Sequence, residues 1–290
     1  MRNTFIDEII KLARVNPQVV LIVGDLGYSV VEPFAEEFPD RFINAGVAEQ
    51  NMTGLASGMA SEGYHVFTYS IANFPTFRCA EQIRNDVDYH NLSVTVVAVG
   101  GGVAYGNLGY SHHAVQDYAL IRTMPNMLIA SPGDPNEVRA CLRYLVQNPQ
   151  PSYLRLGKNG EENFSESIPI IKPGVPVVHD LNNVGIENVL LSTGAALQIA
   201  PNYSNNKERI CSLPLWGMKY KKAFTEFLDG VHNLTTIEDH FLDGGFGSWV
   251  LEANNQHCHS IVKVKPIHLD PVVSASVAKS ETLISKFLRK

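Results

Sequence analysis

Apolar residues along this chain follow two alternating rhythms. Phe5, Ile6, Ile9, Ile10 and Ala13 recur every three to four positions and predict an amphipathic helix. Val19-Val-Leu-Ile-Val23 then runs unbroken, the mark of a central parallel strand. A helix over 48–61 comes next, with Met52, Leu55, Ala56 and Met59 as its buried stripe. Gly46, Gly54 and Gly58 leave room there for close backbone approach. The alternation continues with a strand over 65–69, a helix over 79–87 and a strand over 94–99. A glycine-rich loop over 100–109 leads to a helix near 115–123, a strand over 127–130, a helix over 136–146 and a strand over 152–156. Such β/α alternation predicts a mostly parallel sheet covered by helices on both faces.

A polar stretch, Lys158-Asn-Gly-Glu-Glu-Asn163, and then Pro169, Pro173 and Pro176 interrupt this rhythm. A second β/α series follows: strands over 188–192, 210–213, 234–238 and 260–264, helices starting at Gly194 and spanning 220–228 and 250–252, and a C-terminal helix. A glycine-rich turn, Asp243-Gly-Gly-Phe-Gly247, precedes the 250–252 helix. The pattern predicts an α/β fold of two doubly wound domains, residues 1–160 and a smaller 185–290, joined by a linker over 161–184.

Composition narrows the choice of partners. The 290 residues are 45% apolar, enough for sizeable cores, and carry a net charge of −6. That charge speaks against a nucleic-acid or anionic-membrane partner. No run approaches the ~20 apolar residues of a membrane span, and the start Met-Arg-Asn-Thr-Phe-Ile-Asp has no hydrophobic signal core. Cys79, Cys141, Cys211 and Cys258 form no C-x-x-C pair and read as buried thiols in a reducing compartment, hence a cytoplasmic location. His257-Cys258-His259 has the look of a ligand set, but no second cluster completes a metal site, so a strand or loop near the surface is expected there.

Glu49 carries the first chemical signal. It falls just inside a helix start, where a buried carboxylate needs either a partner or a role. Its setting is Asn44-Ala-Gly-Val-Ala-Glu49. Downstream come Gln82-Ile-Arg-Asn85, His90-Asn-Leu92, Ser111-His-His113, Pro125-Asn-Met127, Ser131-Pro-Gly-Asp-Pro135 and Tyr153-Leu-Arg-Leu-Gly157. In this order and spacing the set resembles the transketolase family. The resemblance covers essentially the whole chain and corresponds to the C-terminal half of a full enzyme or to the small subunit of a split one. The Ile237-Glu-Asp-His240 and Gly244-Gly-Phe-Gly247 stretches look like the family's C-terminal domain.

That resemblance implies a function. Glu49 would act on the aminopyrimidine ring of thiamine diphosphate, donating or sharing a proton with a ring nitrogen. Phe74 would pack against that ring, and Ile71 would take a neighbouring cofactor-facing position that is usually aromatic. His112 matches a family histidine that contacts substrate hydroxyls and can move protons. Arg2, Ser29 and Lys158 would contribute to a phosphate subsite. The family's Mg²⁺ site needs Gly-Asp-Gly; Gly24-Asp25-Leu26 lacks the third residue, so Mg²⁺ is expected on a partner chain. A large subunit would supply that half, in an α2β2 heterotetramer in which this chain also self-associates.

The departures concern substrate. Gly106-Asn-Leu-Gly109 stands where relatives carry Gly-Glu-Asp-Gly, so Leu108 replaces an aspartate that reads a ketose hydroxyl. Gly100 replaces a histidine of the phosphate subsite, which predicts a pocket wider and less polar at one end. The function implied is transfer of a two-carbon ketol unit between a ketose and an aldose, in specialised sugar synthesis. A 2-oxoacid dehydrogenase beta subunit, a deoxyxylulose-phosphate-synthase-like chain and a non-catalytic regulatory paralogue are the alternatives.

Overall fold

A computed structural model describes residues 1–179, 185–204, 207–257 and 262–289, the side chain of His257 excepted. The strands are β1 (Val19–Val23), β2 (Phe42–Asn44), β3 (His65–Ile71), β4 (Val94–Val99), β5 (Leu128–Ala130), β6 (Ser152–Leu156), β7 (Val177–His179), β8 (Asn188–Ser192), β9 (Arg209–Ser212), β10 (Leu215–Trp216), β11 (Asn233–Ile237), β12 (Lys263–Leu269) and β13 (Leu288–Arg289). Two α/β sheets result. The first runs β10-β5-β6-β4-β3-β1-β2 and the second β13-β12-β11-β8-β9-β7. Every pairing is parallel except at β10, β7 and β13, which close sheet edges antiparallel.

The apolar run of β1 explains why it is central. Val20 and Ile22 enter one hydrophobic core; Val19, Leu21 and Val23 enter another on the opposite face. The first helix, Arg2–Val15, buries Phe5, Ile6, Ile9, Ile10 and Ala13 against the second of these cores, as its periodicity requires. The Glu49–Ser61 helix buries Met52, Thr53, Ala56, Ser57 and Ala60. Its expected stripe is corrected at two points. Leu55 is 38% exposed, and a Cβ added at Gly46, Gly54 or Gly58 would touch nothing within 4 Å. Thr53 and Ser57 are buried instead, and their hydroxyls donate back to the carbonyls of Glu49 and Thr53.

Other elements shift from expectation. The glycine-rich turn opens a full helix, Phe246–His257, rather than three residues. Glu238 organises its start by accepting the N–H groups of Phe246 and Gly247. β12 begins three residues later than expected and extends to Leu269; Cys258, His259 and Ser260 lie outside the described residues. β7 falls inside the segment expected to be a linker, and β10 leaves the second series to pair with β5 of the first sheet. Cys79, Cys141 and Cys211 are buried; Cys258 is outside the described residues. No helix among the described residues is long and apolar enough to cross a membrane.

A buried ionic network joins the two sheets. Arg155, near the end of β6, donates from Nε to Asp117 (2.7 Å), from Nη1 to Asp239 (2.6 Å) and from Nη2 to the Ala114 carbonyl (2.8 Å). Burial opposes its charge, but Asp117 and Asp239 hold the guanidinium protonated. Tyr153 adds a 2.7 Å bond to Asp117. Asp239 follows β11, so one side chain fastens the second sheet to the first.

Candidate functional site

The carboxyl ends of parallel strands form the natural binding edge of such a sheet, because the loops there converge. β2 leads through Gly46, at a φ of +73° that glycine adopts without strain, into the Glu49 helix. β3 leads into the Asn73–Phe77 helix, and β4 opens into the glycine-rich loop that carries His112. Asn73 ties the last two together: its Nδ2 donates to the carbonyls of Ser111 (3.2 Å) and His113 (2.9 Å).

Glu49 is only 4% exposed. The sequence suggested a lone carboxylate; the fold gives it a partner. Arg78 Nη1 donates to Glu49 Oε1 at 2.8 Å, and the same guanidinium lies 4.0 Å from the Phe74 ring centroid. Phe74 and Arg78 are four residues apart, which places both on one side of a short helical segment. Phe74 in turn meets His112 edge to face, with centroids 5.3 Å apart. Glu49, Arg78, Phe74 and His112 thus form one unbroken line of contacts. Gly24 closes one side: a Cβ there would lie 3.7 Å from both Glu49 Cγ and Ser70 Oγ. The Ser70 hydroxyl is buried with no hydrogen-bond partner among the described residues.

His112 is half-buried, with Nδ1 3.0 Å from Ser111 Oγ. Burial, then the charges of His113 and Arg78, push its pKa below the ordinary histidine value. Near neutral pH the ring is therefore neutral and able to accept a proton. His113 is buried instead, its Nε2 3.4 Å from the Gly106 carbonyl, and serves the loop.

The substrate end differs from the sequence expectation. Gly100 does not leave open space. A Cβ there would overlap Cε2 and Cδ2 of Tyr105, so the Tyr105 ring fills the volume that a side chain at position 100 would use. The wider, less polar pocket is corrected accordingly. Lys158 is exposed, with Nζ 5.1 Å from the Tyr105 centroid, and Arg2 is close enough for its charge to act on the Tyr105 hydroxyl. Leu108 is 55% exposed, and its N–H donates to the Tyr105 carbonyl at 2.9 Å. Ile71 ends β3, half-buried. Ser29 is exposed with φ +63°, and its N–H is taken by Glu32 Oε1; it shares no described contact with Arg2 or Lys158.

Asp25 accepts from Asn44 Nδ2 and the Tyr28 hydroxyl. Among the described residues no group of three His, Cys, Asp or Glu side chains is arranged to hold a metal ion. A cavity of about 960 Å³ lies elsewhere, lined by Arg84, Asn85, Asp88, His90, Pro125 and Asn126. Several of the motif residues therefore gather away from Glu49. Arg78 and Tyr105 were absent from the sequence-based site. The four-residue step from Phe74 could have flagged Arg78; nothing local flags Tyr105.

Comparison with known proteins gives this geometry a context. Residues 1–160 match the family described as transketolase, pyrimidine binding domain. An apulose-4-phosphate transketolase subunit from Phocaeicola vulgatus is 39% identical over 158 residues, covering 54% of this chain and 51% of that protein. The protein of the same description from Actinobacillus succinogenes is 27% identical over 263 residues, covering 89% and 84%. A solved structure described as a split gene transketolase, inactive beta4 tetramer, superposes with a TM-score of 0.82 at 28% identity, covering 98% of this chain and 92% of that one.

Proposed function

Because this chain belongs to the transketolase family, we propose that it is the small subunit of a split, thiamine-diphosphate-dependent enzyme that moves a two-carbon ketol unit from a ketose to an aldose. One observation carries the proposal: the loops after β2, β3 and β4 bring a buried carboxylate, an aromatic face and a neutral histidine into one line of contacts. The relatives described as transketolase subunits and the split-gene description of the solved structure support a two-chain enzyme. That the latter is described as an inactive beta4 tetramer supports both self-association and dependence on a second chain.

The residues present fit the pyrimidine end of the cofactor. Glu49 is a buried carboxylate, a Cβ at the small Gly24 would lie 3.7 Å from both its Cγ and Ser70 Oγ, the Ser70 hydroxyl has no hydrogen-bond partner among the described residues, and Phe74 offers a ring face. When bound, thiamine diphosphate supplies the nucleophilic carbon needed to break and remake a bond beside a carbonyl. Glu49 would face a ring nitrogen of the pyrimidine and share a proton with it. Phe74 fixes the plane of that ring, and Ile71 adds apolar contact. Arg78 occupies both the Glu49 carboxylate and the Phe74 face, so a bound ring would have to displace it. His112, neutral near pH 7, takes up and returns a proton at a substrate hydroxyl. Arg2 and Lys158, which both lie against Tyr105, attract an anionic sugar end, while Ser29 stands apart from them; Leu108 lies at the loop expected to discriminate among sugars. The large subunit holds the diphosphate and Mg²⁺, completing an α2β2 assembly in the cytoplasm.

Glu49→Gln tests the assignment. Gln keeps the size but cannot share the carboxyl proton. In the assembled enzyme the variant should fold and assemble as wild type while ketol transfer falls by about two to four orders of magnitude. Undiminished transfer would confine Glu49 to its ion pair with Arg78.

A further inference from the structure

We propose that Tyr105 is a specificity-determining residue: its ring takes the place of a side chain at position 100, and its hydroxyl donates to the anionic end of the sugar. The proposal rests on the ketol-transfer function put forward above. Its basis is a steric exclusion. Gly100 has a φ of +81°, and a Cβ on it would overlap Cε2 and Cδ2 of Tyr105 and lie 3.2 Å from Cζ. No side chain at 100 can coexist with this placement of the ring. The two positions are one unit: a glycine that yields its volume and a tyrosine that fills it.

The ring has informative neighbours. Its centroid is 6.4 Å from that of His112, in a near-perpendicular arrangement, and 5.1 Å from Lys158 Nζ. Arg2 faces it from the first helix, and Arg2 Nε is buried with no hydrogen-bond partner among the described residues. Tyr105 therefore links the histidine assigned to the reacting hydroxyls with two cations suited to a phosphate or other anionic group. A phenol can accept a hydrogen bond from Arg2 and still donate its own proton to an anion. Unlike imidazole it stays a neutral donor across the physiological range: burial raises the pKa of Tyr105 while the Arg2 charge opposes the rise. The Leu108 N–H bonds to the Tyr105 carbonyl, so the backbone of the divergent loop is fastened to the same residue. The ring fills the volume beside Gly100, so removing it would open space there.

Two variants separate ring from hydroxyl in the assembled enzyme. Tyr105→Phe keeps the wall and removes the donor; Tyr105→Leu removes both. Inorganic phosphate binding is measured by calorimetry, and ketol transfer is measured with phosphorylated sugars and their unphosphorylated counterparts. Tyr105→Phe should weaken phosphate binding about tenfold and raise KM for phosphorylated sugars by a similar factor, the loss falling on KM rather than kcat. Unphosphorylated sugars should lose less than about threefold on the scale of that bond. Tyr105→Leu should in addition accept bulkier sugars. If Tyr105→Phe binds phosphate as tightly as wild type, the proposal is overturned, whatever the activity. If wild type transfers no ketol unit yet binds phosphate in a Tyr105-dependent way, the subsite stands and the proposed reaction fails.

Discussion

Gly100 and Tyr105 show how the identity of one residue can be decided by the side chain of another. A methyl group at position 100 would meet the Tyr105 ring, and its backbone would be held at φ +81°. Left-handed strain costs about 1–3 kcal/mol and overpacking about 1–3 kcal/mol more. Gly100→Ala should therefore lower unfolding stability by about 2–6 kcal/mol in urea titrations. In a Tyr105→Ala background the clash is gone and only the strain remains, so the cost of Gly100→Ala should shrink. Equal costs in both backgrounds would show that the ring yields freely. The same steric logic makes a histidine at Gly100 incompatible with this loop. Much of the site was legible residue by residue. Glu49 and His112 sit in motifs that the sequence displays, Phe74 was marked only by the family resemblance, and the fold brings the three into one line. Arg78 and Tyr105 were not legible, because their roles arise from volumes and contacts between segments that no local pattern records. The buried stripe of the Glu49 helix departs from its periodicity for a related reason. Periodicity selects Leu55, while the fold buries Thr53 and Ser57, whose hydroxyls are satisfied within the helix.

Among the elements, β6 has the most demanding role. It is central in the first sheet and carries Arg155, whose guanidinium reaches Asp117 and, beyond it, Asp239 after β11. Removing one partner of a buried ion pair strands the others without compensation, at about 3–5 kcal/mol. Arg155→Met should destabilise the chain by that amount in urea unfolding. It should also loosen the second sheet from the first, seen as faster amide hydrogen exchange in β11. Loss below about 1 kcal/mol would mean that water or rearrangement replaces the network. Long apolar strands such as β1 and β4 were evident from sequence because both faces are buried. β10 was not, since two residues carry no periodicity and their strand character comes wholly from pairing with β5. β7 was masked by surrounding prolines and polar residues, and the extension of β12 to Leu269 by Lys265 and Pro266, which break the apolar signal.

At the scale of the whole molecule, the proposed function makes the chain one half of an active site. On the proposed function its loops gather the groups that would meet the pyrimidine end of thiamine diphosphate, with Glu49, Arg78, Phe74 and His112 in one line of contacts. The proposed function assigns the diphosphate and Mg²⁺ site to a second chain, and the relatives described as transketolase subunits support that assignment. On the same proposal the loop chemistry at Gly100, Tyr105 and Leu108 belongs to substrate choice rather than to the bond-breaking step. The most direct measurement is a calorimetric titration of thiamine diphosphate with Mg²⁺ into this chain alone, and into the chain assembled with a large subunit that carries a Gly-Asp-Gly site, followed by an assay of ketol transfer in both. The chain alone should show no saturable binding and no transfer, and Mg²⁺-dependent binding and transfer should appear once the large subunit is added. Tight Mg²⁺-dependent binding with transfer by the isolated chain would contradict the assignment of this protein as half an active site.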